Sequence, residues 1–298
     1  MKYLILGKNG QVGWELQRAF ALKGTVLSLG REDFGGDLLK IDELEDKISD
    51  FSPDAVINAA AYTAVDRAES EKEIAFKVNA LAVQRLAEIS KAQGSLLVHF
   101  STDYVFDGSG TIPWCETDKT SPVNIYGQSK LAGEEAIRQS QCNALIFRTS
   151  WVYGVHGKNF IKTILRLART KDSLTVVNDQ FGAPTSAEFI ADVTANLTTR
   201  MLESGQDLTG TYHLVPDGET NWCDFARWIV HEAKSMNFDL NLKPEKILGI
   251  TSSQYPTAAK RPNNSRLDNH KLKQLFPQGS FYNWDVYAKR VLVALSGQ

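Results

Sequence analysis

Cysteine is scarce and scattered in this 298-residue chain: Cys115, Cys142 and Cys223 are odd in number, far apart and form no Cys-x-x-Cys pair. That excludes a disulfide framework and a cysteine zinc site, and leaves buried or surface thiols. An excess of charge of one sign is missing too, since 33 Lys+Arg stand against 35 Asp+Glu for a net of −2 with histidine neutral. A nucleic-acid partner held by bulk positive charge is therefore not expected. Nowhere do about 18 apolar residues follow one another, so no membrane span is expected. The apolar start Met1–Leu6 breaks at Gly7, too early for a signal-peptide core. The expectation is a soluble cytoplasmic protein. Fixed-period repeats and low-complexity tracts are lacking, so there is no solenoid or tail to explain. None of His99, His156, His213, His231 and His270 falls in a His-x-x-x-His pattern, so no metal site is suggested by histidine.

What is present is enough apolar matter, 43% of residues, for one large or two ordinary domains. Short β-rich runs at Tyr3–Leu6, Thr25–Leu29, Ala55–Asn58, Leu96–Phe100 and Ala144–Arg148 alternate with helix-length amphipathic stretches. That rhythm predicts a doubly wound parallel sheet, an α/β fold of Rossmann type, over residues 1–150. Past Ser150 the rhythm loosens around Gly182-Ala183-Pro184, Pro216-Asp217-Gly218 and Arg261-Pro262, with helical stretches at Glu188–Arg200 and Asp224–Lys234. Residues 151–298 are expected to form a smaller mixed α/β substrate domain interleaved with the first.

Three local patterns carry chemistry. The first strand runs into Gly7-Lys8-Asn9-Gly10-Gln11-Val12-Gly13 and then a helical stretch, Trp14–Phe20. Glycines at a strand-to-helix turn let backbone N–H groups approach a pyrophosphate at the positive helix end; a plain tight turn is the alternative. Tyr126 and Lys130 stand four apart in the helical stretch Tyr126–Gln139, so phenol and ammonium share a face. The ammonium is expected to pull the phenol pKa down and make Tyr126 a general acid, against an ordinary exposed pair. Ser101, Thr102 and Asp103 close the fourth strand, at the edge where open α/β sheets hold ligands. A hydroxyl there can donate to a substrate carbonyl, or be satisfied by local backbone. At the end of the second strand Gly30 offers no acid to a ribose hydroxyl and Arg31 offers a guanidinium to a 2′-phosphate. The expected coenzyme is NADPH, with NADH also usable. Trp14, Trp114, Trp222, Trp228 and Trp284 read as packing residues, and Trp151 stands apart because it closes the fifth strand on the Thr102 edge.

Taken together, GKNGQVGWEL (Gly7–Leu16), NAAAYTAVDRAESE (Asn58–Glu71), STDYVF (Ser101–Phe106), YGQSKLAGE (Tyr126–Glu134), FRTSWVYG (Phe147–Gly154), NDQFGAPT (Asn178–Thr185) and RPNNSRLD (Arg261–Asp268) resemble the extended short-chain dehydrogenase/reductases over nearly the whole chain. Within that group the likeness is to reductases of nucleotide-linked 4-keto-6-deoxyhexoses. The resemblance implies that Gly10, Gln11 and Val12 cradle the pyrophosphate, that Asp37 and Leu38 border the adenine, and that Ala61, Tyr62 and Thr63 line the coenzyme. It implies Tyr126 as proton donor, Lys130 on the nicotinamide ribose and Thr102 on the reacting carbonyl. Asp103 and Trp151 would touch the sugar, and Arg261 and Arg266 would grip the nucleotide diphosphate, for which arginine forks are suited. A 4,6-dehydratase or epimerase shares fold, tyrosine and lysine, but dehydratases of this group follow Thr-Asp with Glu, and here Tyr104 follows. A non-catalytic subunit on the same fold is the other alternative, opposed by intact Thr102, Tyr126 and Lys130. Some members of the group hold magnesium between three glutamates of each subunit in a dimer. Glu15 and Glu188 match two of them and Ala294 replaces the third, so no metal is expected and any homodimer should be metal-independent.

Overall fold

Side-chain alternation along the first strand divides the core. β1 (Lys2–Leu6) sends Tyr3 and Ile5 to one face and Leu4 and Leu6 to the other, and all four are fully buried. The computed structural model describes residues 1–277 and 281–297. β2 (Thr25–Leu29), β3 (Ala55–Asn58), β4 (Leu96–Thr102) and β5 (Ala144–Thr149) follow, and β6 (Gly210–His213) pairs with β5 from the second half of the chain. All six strands run parallel in the order β6-β5-β4-β3-β1-β2. β3 and β5 are buried along their whole length, which is why each opens on consecutive apolar residues, Ala-Val-Ile and Ala-Leu-Ile-Phe, rather than on alternation.

The longer helices are α1 (Gln11–Phe20), α2 (Ile41–Phe51), α3 (Ala82–Gln93), α4 (Ile125–Ser140), α5 (Phe160–Thr170), α6 (Ala187–Ser204), α7 (Trp222–Ser235) and α8 (Trp284–Ser296). Leu16 and Phe20 of α1 and Ile190 and Leu197 of α6 cover the Tyr3/Ile5 face. Leu44 and Ile48 of α2 and Leu86 of α3 cover the Leu4/Leu6 face. A separate core joins Ile164 of α5, Phe225 and Ile229 of α7, and Trp284 and Leu292 of α8. Both β6 and α6 therefore lie beyond residue 150 in sequence yet belong to the layers around the large sheet. Among the described residues no helix is long and apolar enough to cross a membrane.

The order of winding reverses between β1 and β3, since β2 lies outside β1 and every later strand lies beyond β3. In such sheets the crevice for a ligand opens at the carboxyl ends of those two strands. The register Leu6↔Asn58, Asn58↔His99 and Thr102↔Thr149 brings the ends of β1, β3, β4 and β5 to that edge.

Candidate active site

The turn after β1 closes on itself and leaves a helix end open. Gly7 sits at φ +85°, and its N–H donates to the Leu29 carbonyl at 2.8 Å. A Cβ on Gly13 would lie 2.0 Å from the Gly7 carbonyl oxygen, so only glycine lets α1 start this close to β1. The cap residue of α1, Gly10, makes no side-chain cap, which leaves first-turn N–H groups and the helix dipole for an anion. These residues fit the diphosphate of a dinucleotide. The turn opens into a cleft of about 940 Å³, within the range of small-molecule sites. Its walls include Gly7, Gly10, Gln11, Val12, Arg31, Asp37, Leu38, Ala61, Tyr62 and Thr63, and further along Thr102, Asp103, Tyr126, Lys130 and Trp151. Of the residues singled out in the sequence for coenzyme and substrate, Gly13, Arg261 and Arg266 are not on that wall.

Beside Asp37 on the cleft wall, Arg31 is 73% exposed and its Nε lies 3.5 Å from Asp37 Oδ2. Asn79 holds the loop that follows β3: its amide accepts from the Tyr62 N–H at 2.9 Å and donates to the Tyr62 carbonyl at 3.0 Å. Its Nδ2 also donates to Ser129 Oγ at 3.0 Å, tying this loop to α4 between Tyr126 and Lys130. Asn79 lies in a π-turn at Lys77–Leu81, a local irregularity that often marks functional sites.

α4 presents a polar face to the sheet. Asn124 caps it, with Oδ1 accepting the Gly127 N–H at 2.8 Å. Lys130 is buried and its Nζ donates to the Phe100 carbonyl at 2.6 Å, with His99 Nε2 at 3.2 Å. One turn on, Glu134 accepts a fork from Arg148 of β5 at 2.9 and 2.7 Å and the Ser101 hydroxyl at 2.5 Å. Tyr126 lies edge-on to Tyr104, ring centroids 5.6 Å apart, with its phenol against the Thr102 hydroxyl. Thr102 in turn donates to Asp103 Oδ1 at 3.0 Å.

Electrostatics in this cluster differ from the sequence expectation. Burial, and then the neighbouring Asp103, push the Tyr126 phenol well above its ordinary range, with Thr102 pulling weakly the other way. The Lys130 nitrogen is engaged by Phe100 and His99, and burial brings it down to about 8 against the pull of Glu134. Burial also raises the Asp103 carboxyl to about 6. The lowering expected of the Tyr126 phenol is therefore not found; its protonated form is the one from which a general acid donates.

Trp151 has φ +51°, a conformation costly for a bulky residue, and stacks on Trp222 with centroids 3.7 Å apart. Both indoles line the cleft, and Trp222 also packs against Phe160 beside the second core, as its packing reading expects. Arg261 donates to Asp66 at 2.7 Å, and Arg266 forks onto Glu219 while lying over the Phe181 ring at 4.4 Å. Glu15 accepts from Arg18 at 2.8 Å, Glu188 is half-buried in the first turn of α6, and Ala294 is exposed on α8. Among the described residues no group of three His, Cys, Asp or Glu side chains could hold a metal ion. Arg18 on Glu15 and a methyl at 294 do not fit the three-glutamate magnesium site.

A glycine turn at a helix N-terminus, opening onto Tyr126 and Lys130 at the carboxyl edge of a parallel sheet, is the arrangement of a nicotinamide-dependent oxidoreductase of the extended short-chain type. More narrowly, the chain belongs to the family described as the RmlD substrate binding domain, which it matches over residues 1–296. It is 46% identical over 294 residues to dTDP-4-dehydrorhamnose reductase of Escherichia coli (strain K12), covering 98% of this chain and 97% of that one. To the enzyme of the same name from Burkholderia thailandensis it is 48% identical over 279 residues, 93% of each chain. The crystal structure of dTDP-4-dehydrorhamnose reductase from Bacillus anthracis in complex with NADP superimposes with a TM-score of 0.88 at 31% identity, covering 98% of this chain and 99% of that one.

Proposed function

We propose that the protein reduces the C4 ketone of dTDP-4-dehydro-L-rhamnose to dTDP-L-rhamnose with NADPH, and with NADH less well, in the cytoplasm. The product would serve polysaccharide or O-antigen synthesis. The observation that carries this is one cleft whose wall holds the glycine turn after β1 together with Thr102, Tyr126 and Lys130. Residues 1–150 supply the coenzyme side together with Thr102, Asp103 and Tyr126, and residues 151–298 complete the substrate side with Trp151, Arg261 and Arg266.

The bound nicotinamide supplies hydride. As C4 gains it, negative charge grows on O4, where Tyr126 delivers its phenolic proton and Thr102 donates a hydrogen bond. The phenolate left behind is reprotonated from solvent. Lys130 orients the ribose next to Tyr126. Trp151, with Trp222 behind it, and Asp103 bound the sugar. Arg261 and Arg266 exchange Asp66 and Glu219 for the diphosphate, whose paired oxygens suit the same forks.

The test is loss of nicotinamide absorbance over a panel of nucleotide 4-keto-6-deoxysugars, with coenzyme binding measured separately. Oxidation of NADPH with the dTDP-4-dehydro-L-rhamnose sample is expected. Coenzyme binding without oxidation on any sugar would overturn the reading, and redox-neutral conversion would point to an epimerase or dehydratase.

A further inference from the structure

His99 is wholly buried on β4, and no step above uses it. Parallel register sets it opposite Asn58 of β3. Its ring nitrogens face different partners: Nδ1 lies 3.3 Å from Asn58 Nδ2, and Nε2 lies 3.2 Å from Lys130 Nζ. The Asn58 amide is oriented independently of the ring, because its Oδ1 accepts the Ala60 N–H at 3.1 Å. Turned that way it offers His99 a donor, so Nδ1 is the accepting nitrogen. A neutral imidazole that accepts at Nδ1 carries its proton on Nε2, and that N–H points at the lysine nitrogen. Burial, and then the charge of Lys130, hold His99 well below the usual histidine range, so the ring is neutral.

An ammonium has three donors and no lone pair, so it gains nothing from a facing N–H. An amine can accept that N–H while still donating to the Phe100 carbonyl at 2.6 Å. The other groups facing Lys130 are accounted for. Tyr126 and Glu134 stand on its own helix; the phenol is neutral, and the carboxylate favours the ammonium but is held by Arg148, Ser101 and Arg138. Asp103, beyond the end of β4, acts on Tyr126.

For the reduction proposed above, we propose that Asn58 and His99 are a positioning pair: the amide fixes the histidine tautomer, and the resulting N–H on Nε2 sets how readily Lys130 gains and loses its proton. The direction of Lys130, brought down to about 8 mainly by burial, agrees with this geometry. Two substitutions reverse the device. Asn58→Asp keeps the acceptor for Ala60, turns the ring proton to Nδ1, and makes Nε2 an acceptor for an ammonium. His99→Gln offers Lys130 an amide oxygen in place of the ring N–H.

The experiment combines ¹⁵N NMR of the histidine rings in the free protein with pH profiles of NADPH binding, by coenzyme fluorescence, and of kcat. The wild type should show His99 protonated on Nε2 and bare on Nδ1, with an alkaline limb where Lys130 deprotonates. Asn58→Asp should move that limb up by about one pH unit or more, from the added charge and the new acceptor, and His99→Gln should move it the same way. A wild-type His99 protonated on Nδ1, or a limb unmoved in a folded variant, would overturn the proposal. Should one variant fail to fold, the other and the wild-type tautomer still decide. The spectrum and the NADPH-binding profile need no sugar, so they decide it even where the sugar panel shows no oxidation.

Discussion

Replacing Glu134 with glutamine should destabilise the fold by about 3 kcal/mol, the low end of the range for stranding one partner of a buried ion pair. Glu134 is wholly buried and Arg148 is 3% exposed, so the arginine left behind cannot turn to water. The low end applies because glutamine keeps the shape and one acceptor oxygen for the Ser101 hydroxyl or one arm of the fork. For a chain of 298 residues the entropy of unfolding is about 0.6 kcal/mol/K, so the melting temperature should fall by about 5 °C. The pH dependence has a definite sign. Burial works to raise the Glu134 carboxyl, but Arg148, Ser101 and Arg138 outweigh it and hold the group below its ordinary value. A carboxylate depressed in the folded state stabilises above its unfolded pKa of about 4.3 and loses that contribution as pH falls through the lower folded value. The gap between wild type and Glu134→Gln should be flat from about pH 6 to 8 and close below about pH 4. Removing the stranded charge as well, in Glu134→Gln/Arg148→Met, should recover part of the loss. Thermal melts of the three proteins across pH measure all of this. A gap under about 1 kcal/mol at pH 7, or one that widens in acid, would refute the reasoning.

How far the sequence carried the fold depends on whether a signal is local. β2 and β3 are legible residue for residue: β3 is buried along its length and needs an apolar run, and β2, an edge strand with only Leu29 buried, still carries Thr, Val and Leu in a short run. β4 runs past Phe100 to Thr102, since its last two residues are polar but satisfied: Ser101 by Glu134, and Thr102 by Asp103 and the Tyr104 N–H. β6, Gly-Thr-Tyr-His, holds only two β-favouring residues beside a glycine, too short a signal to read, and pairs with β5. The same division runs through the site. The glycine turn and the Tyr126/Lys130 spacing are short-range and readable. Asn58, His99 and Glu134 acquire their partners only from register across strands and the docking of α4, which no spacing along the chain encodes. The direction of the Tyr126 shift was missed for a related reason: spacing places an ammonium near a phenol, but burial, which only the fold sets, is the larger influence.

Tyr126→Phe should lower turnover at least about 100-fold with NADPH affinity within a few-fold, because it removes the acid and leaves the cradle; near-wild-type turnover would remove Tyr126 from the mechanism. Arg31→Ala should narrow the preference for NADPH over NADH measured as a ratio of kcat/KM, since the exposed guanidinium at the cleft mouth is the group suited to a 2′-phosphate; an unchanged ratio would show that Arg31 is only solvated. Chelation should do nothing. Magnesium takes oxygen ligands in a near-octahedral array, and the three-glutamate site implied for some relatives survives here only at Glu15 and Glu188, with a methyl at Ala294. Glu15 already accepts from Arg18, whose second nitrogen donates to Asp192 at 2.7 Å, so a cation would have to displace a guanidinium from a carboxylate it bonds at 2.8 Å. Reductase turnover and hydrodynamic size should therefore be the same with and without EDTA. A loss of either that Mg²⁺ restores would show that two glutamates per subunit, completed by water, are enough to hold the ion and that the Arg18 pairing yields to it.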